Sequence, residues 1–271
     1  MKKLLLFVFI SLFLNNFSQE SAKFADPKFV FAYKETSFET DDYKIYIEDA
    51  INVNAFSKFK IRVFNKTNDY LVLKPSDIAF KIGSQTIFGK DKQLVIPPNE
   101  EASKVIDVKG KGLQEENYTV EIKNLYKVSN AGPPVKTEDL AVPVTQKEFT
   151  TGSFKCVVKR NDLQTNKTLL RIECTYTGDA VGILAPNKVI AIMPKGQENQ
   201  NSYRNKNNLM EKGKPEDFLI DIREMKGAGD MQKDAWKIVW GETFKESKME
   251  PAAGGTIPME IDRKKTAEKN Q

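Results

Sequence analysis

The sequence predicts an all-β protein: two tandem antiparallel β-sandwich domains behind an N-terminal signal peptide. Three observations carry this expectation. Short runs of β-branched and aromatic residues alternate with polar ones and are cut by Asn, Gly, Asp and Pro, the pattern of half-buried strands and their turns. Beyond the leader, no long stretch repeats its apolar residues with a period near 3.6. The chain also matches itself. A shift of 111 residues (154 − 43) lays Tyr43-Lys44-Ile45 on Phe154-Lys155-Cys156, Phe59-Lys60-Ile61 on Leu170-Arg171-Ile172, and Leu73–Ile78 (LKPSDI) on Leu184–Val189 (LAPNKV). Further on the offset grows to 114 (Val105 to Leu219) and 118 (Tyr118 to Trp236), as insertions of a few residues between strands would produce.

In chain order, Lys2 and Lys3 precede an apolar run from Leu4 to Leu14, followed by polar residues and Ser18. This is the layout of a signal peptide over residues 1–18. An uncleaved anchor is the alternative, disfavoured because the run falls short of the ~20 residues that span a bilayer. Residues 28–128 are expected to form the first sandwich, with strands around Tyr43–Ile47, Phe59–Phe64 and Tyr118–Ile122. Residues 129–139, which include the Pro- and Gly-containing NAGPPVKTED, read as a linker. Residues 140–248 repeat the unit through Phe154–Val158, Leu169–Tyr176 and Trp236–Trp240. Residues 249–271 turn to small and charged types and read as a disordered tail.

Lys and Arg number 42 against 37 Asp and Glu, a formal charge of +5 that becomes +3 (5 − 2) without Lys2 and Lys3. The two signs are interspersed, which describes a solvated surface better than a phosphate-binding stripe, so no nucleic-acid partner is expected. No second apolar run is long enough for a membrane span in the mature chain. Histidine is absent, which removes Ser-His-Asp and Cys-His mechanisms and the commonest zinc ligand. No nucleophile-elbow, phosphate-loop or zinc-helix motif is present, so no catalytic residue, metal or cofactor is expected.

Cys156 and Cys174 lie on consecutive strands about a polar turn near Thr165. A hairpin folded there sets them directly opposite, with Cβ atoms ~4.5–5.5 Å apart. A disulfide is the expectation in an oxidising compartment, and two buried free thiols are the alternative. Trp236 and Trp240 share one face of a strand with Ile238. They could form an aromatic platform for a sugar, but their counterparts Tyr118, Val120 and Ile122 form an ordinary core face, and core packing is preferred. The longest polar interruption, Pro194–Asp217, contains Tyr203, Arg204, Asn205 and Lys206, a candidate binding loop; a solvated loop without a partner is the plainer reading.

The leader ends in FSQ and so resembles signal peptides of Bacteroidota, whose mature chains often begin with Gln, here Gln19. The tandem strand-rich units, with an N-x-T turn followed by L-x-P, resemble the immunoglobulin-like (telokin-like) sandwiches of exported bacterial proteins. That resemblance implies adhesive, scaffolding or ligand-binding roles. The expectation is a non-enzymatic, periplasmic or extracellular scaffold or adaptor that binds an envelope protein partner through loops or sheet edges. A carbohydrate or cell-wall binding module, with a glycan as partner, is the alternative, and a carboxylate-based hydrolase is the third reading.

Overall fold

Alternation in sequence becomes alternation of buried and outward-facing side chains: Tyr43, Ile45 and Ile47 are buried, while Lys44, Tyr46 and Glu48 look outward. The computed structural model describes residues 26–204 and 207–271, and the expected signal peptide lies outside them. The first stretch of chain provides β1 (Phe31–Ala32), β2 (Thr36–Glu39), β3 (Tyr43–Val53), β4 (Phe56–Asn65), β5 (Tyr70–Leu73), β6 (Ile78–Ile82), β7 (Gln85–Phe88), β8 (Leu94–Ile96), β9 (Glu101–Lys109) and β10 (Asn117–Val128). One sheet runs β1-β3-β4-β9, with β2 also on β3, and a second runs β7-β6-β10-β5-β8. Their inner faces meet in an aromatic-rich core where Phe59 stacks on Phe80 at 4.9 Å and Tyr33 meets Tyr118 edge-on at 4.8 Å.

The second stretch provides β11 (Leu140–Val142), β12 (Glu148–Thr151), β13 (Phe154–Gln164), β14 (Lys167–Tyr176), β15 (Val181–Leu184), β16 (Ile190–Ile192), β17 (Glu198–Gln200), β18 (Asn208–Met210), β19 (Pro215–Arg223), β20 (Trp236–Val239) and β21 (Phe244–Ser247). They form the sheets β12-β13-β14-β19, β11-β20-β16-β17 and β18-β15-β21 around a separate core. The architecture is all-β and antiparallel in both units. The repeat is visible in the registers. Ile45 pairs with Val63 across β3 and β4, and Cys156 with Cys174 across β13 and β14, both 111 residues on. Each hairpin carries an irregularity at corresponding places, Glu48/Ile51 and Val158/Arg160. The 3-10 turns Pro75–Asp77 and Pro186–Lys188 keep the same offset (186 − 75 = 111), each with its first Pro buried.

Two boundary expectations are corrected. Residues 249–271 are not a tail: they form β22 (Met249–Glu260) and helix α1 (Arg263–Lys269). β22 pairs with β10, and Ile257 and Met259 enter the core of the first unit. The small residues that read as disorder are what the fit requires, since a Cβ on Gly254 would lie 1.9 Å from the carbonyl oxygen of Ile122. Asp262 caps α1 by accepting from the backbone N–H of Lys264 and Lys265. Thr266 Oγ1 accepts from Ala32 N–H at 3.0 Å, and Asn270 brackets Val30 through both its backbone groups at 2.9 and 2.8 Å. Lys265 to Glu35 and Lys34 to Glu260, each 2.9 Å, add exposed ion pairs. The first unit is therefore discontinuous, comprising described residues up to 67, then 71–126 and 251–271, while the second holds 68–70 and 127–250.

Residues 129–139 are likewise not a free linker but part of the second unit. Val135 donates its N–H to Phe244 O at 2.8 Å and packs on that unit's core, and Thr137 bonds Thr151 at 2.7 Å. Among the described residues, no helix is long and apolar enough to cross a membrane.

Candidate functional site

β9 closes one side of its sheet and pairs only with β4. In an antiparallel ladder, alternate residues direct their backbone groups to one neighbour and the intervening residues direct theirs the opposite way. The end bonds of this ladder fix the phase: Asn65 N–H donates to Glu100 O at 2.9 Å, and Gly110 N–H donates to Ala55 O at 3.0 Å. Even-numbered residues therefore face β4. Glu101, Ser103, Val105, Asp107 and Lys109 turn their N–H and C=O outward, and no described residue bonds to them. Val105, opposite Lys60, is 54% exposed, the most open large hydrophobic side chain among those described.

The surrounding face is a charged lattice over β3 and β4. Arg62 lies 4.2 Å from the ring centre of Tyr46 and reaches Glu48 at 2.5 Å and Glu101 at 3.2 Å, while Lys60 reaches Glu48 at 3.2 Å. Hydrogen bonding from Arg62, then from Lys60, holds the Glu48 carboxyl below the usual carboxylate range.

The counterpart of β9 is β19, offset by 114 (215 − 101). Four of its outward groups, all in its C-terminal half, are occupied. Asn201 Nδ2 donates to Leu219 O at 3.0 Å, and Asp221 N–H donates to Asn201 Oδ1 at 3.0 Å. Ser202 donates to Asp221 O from both its N–H (2.9 Å) and its hydroxyl (2.7 Å), and Asn199 Nδ2 donates to Arg223 O at 2.6 Å. Residues 219, 221 and 223 correspond to 105, 107 and 109, so over this stretch one edge is capped by Asn199, Asn201 and Ser202 where no described residue caps the other.

The sequence-derived candidates fall as follows. Cys156 and Cys174 are disulfide-bonded and buried in the second core. Trp236 and Trp240 form no platform. Both are buried, with Trp236 Nε1 donating to Met231 O at 3.1 Å and Trp240 Nε1 donating to Glu138 O at 3.0 Å. Trp240 also stacks on Phe149 at 5.0 Å, because this strand faces the other sheets of its unit. Tyr203 is 44% exposed, with its N–H donating to Asn201 Oδ1, and Arg204 is exposed; Asn205 and Lys206 lie outside the described residues. The rest of Pro194–Asp217 is less open than a loop, since it contributes β17, β18 and the Asn201 bracket. Among the described residues, no group of three or more Asp, Glu, Cys or His is placed to hold a metal. The β9 edge was not among the expected sites; its signal in sequence is one Val on the polar side of the alternation in Glu101–Lys109.

No protein-family model matches the chain, and no curated protein matches it in sequence. Among solved structures, a family 86 glycoside hydrolase, the β-porphyranase of the human gut bacterium Bacteroides plebeius, aligns at 11% identity and a TM-score of 0.16. That alignment takes in 88% of this chain and 37% of the enzyme. Recombinant pro-11S globulin of pumpkin aligns at 7% identity over 88% of this chain and 87% of that one, with a TM-score of 0.14. AerE from Microcystis aeruginosa aligns at 9% identity over 86% and 99% of the two chains, with a TM-score of 0.10. At these TM-scores the likenesses carry no argument about function.

Proposed function

We propose that this chain is a non-enzymatic, exported protein-binding module of the cell envelope, a scaffold or adaptor built on immunoglobulin-like sandwiches, which takes up an extended segment of a protein partner along β9. The observation that carries the reading is the contrast between Glu101–Lys109, whose outward groups no described residue bonds, and the capped stretch Leu219–Arg223 of β19. Strand addition of this kind draws affinity from main-chain hydrogen bonds and specificity from side chains next to the edge, here Val105 and the Arg62–Glu48 lattice. The Cys156–Cys174 disulfide supports export, since such bonds persist in oxidising compartments.

A photo-reactive residue at Val105, with Leu219 as the matched control, tests this in living cells. Protein adducts are expected from Val105 and not from Leu219. Absence of any adduct at Val105 overturns the reading.

A further inference from the structure

Resting on that strand-addition reading, we infer that one occupant of β9 is β9 of a second copy of this chain, paired antiparallel about a two-fold axis at Val105. The motive is self-complementarity. In this register residue i faces residue 210 − i, so Val105 meets Val105, Ser103 meets Asp107, and Glu101 meets Lys109 at both ends of the nine-residue strand. All five of these positions are the ones whose backbone groups point away from β4, so the register uses every open donor and acceptor on the edge. On the outer face it places two half-exposed valines in contact, flanks them with Ser103–Asp107 pairs and closes each end with the opposite charges of Glu101 and Lys109. A shift toward the N-terminus, centred on Lys104, sets Glu101 against Asp107 twice. A shift the other way, centred on Ile106, sets Val105 against Asp107 and leaves fewer strand residues paired.

The opposite face supplies the opposing force. Ala102, Lys104, Ile106 and Val108 line it, with Ile106 and Val108 buried and Lys104 half-buried. In the pair Lys104 faces Ile106 of the copy, and the two Lys104 side chains stand diagonally across the axis. A lysine so placed is a common guard against indiscriminate edge pairing. The association is accordingly reversible and selective for this register, and it strengthens when Lys104 loses its charge.

Sedimentation equilibrium of the full chain as the cell produces it, from micromolar to hundreds of micromolar, reads the association directly. A monomer–dimer equilibrium is expected. Val105→Pro removes an outward N–H and leaves the ladder to β4 intact, so it is expected to weaken dimerisation at least about tenfold without unfolding the monomer. Lys104→Met is expected to tighten it. Glu101→Lys alone is expected to weaken it, and adding Lys109→Glu to restore it. Both native cysteines are disulfide-bonded, so Val105→Cys provides a unique thiol. In the two-fold register it faces its own copy within disulfide reach and cross-links, whereas Glu101→Cys, which faces Lys109, does not. A chain that stays monomeric throughout, or a dimer indifferent to Val105→Pro, overturns the inference. The photo-adducts keep it separable from the broader reading: a Val105 adduct of twice the chain mass supports self-pairing, while one of another mass preserves the module and discards the self-pairing.

Discussion

The two units repeat one hairpin register and complete it by different means. In the first, β3 and β4 meet through Ile45 and Val63, and the sandwich is finished by residues from the far end of the chain, β22 and α1. In the second, the same positions are Cys156 and Cys174, joined covalently, and part of the free edge is capped by Asn199, Asn201 and Ser202. Even a charge pair is inverted: Glu48 and Arg62 correspond to Lys159 and Glu173, which pair at 2.9 Å. The contrast teaches that the duplicated strand pattern sets the sheet framework only. What closes a core and what blocks an edge are separate, local solutions.

Deleting residues 251–271 should divide the units most sharply. Loss of Ile257 and Met259 from the core alone removes about 3–6 kcal/mol, comparable to the lower end of a domain's whole stability. Hydrogen exchange should show β3, β4 and β10 losing protection while β13 and β14 keep theirs; retained protection in β3 would break the comparison. Next in size, giving the second unit the first unit's pair through Cys156→Ile with Cys174→Val should cost about 2–3 kcal/mol, the contribution of a cross-link of this span. Thermal unfolding should shift for the second unit and not the first, and reductant should no longer move either.

A smaller effect is expected from Asn201→Ala, which removes the side chain's four hydrogen bonds, to Pro186 O, Leu219 O, Tyr203 N–H and Asp221 N–H. A loss of about 1–3 kcal/mol should accompany new self-association through the uncovered β19 edge, measurable by light scattering. The smallest concerns Glu48. Its folded-state pKa is depressed, so its contribution is present above the ordinary carboxylate range and lost as pH falls through the folded value. At this partly exposed site the contribution is at most about 1 kcal/mol. Glu48→Gln should flatten the acid side of the first unit's stability profile and leave the second unit's unchanged.

Much of the framework was legible because period-2 alternation and a fixed offset are local properties. Ile45 and Cys156, or Pro75 and Pro186, can be aligned without knowing where they lie in space. The pairing of Cys156 with Cys174 followed from hairpin symmetry about Thr165. The C-terminal strand was not legible: Gly254, Gly255 and Pro258 have the composition of disorder, and only contact with β10 shows that small residues are needed there. The edge site escaped for a related reason. Alternation identifies Glu101–Lys109 as a strand but not as the last in its sheet, and the capping of β19 depends on Asn199, Asn201 and Ser202 within a polar stretch.

The position of β22 also sets an order in time. A ribosome delivers the chain from its N-terminus, yet the first sandwich lacks Ile257, Met259 and the Thr266 clasp on Ala32 until residues 257–266 emerge. All of residues 127–250 is available earlier. The half of the protein made first is thus the half that matures last.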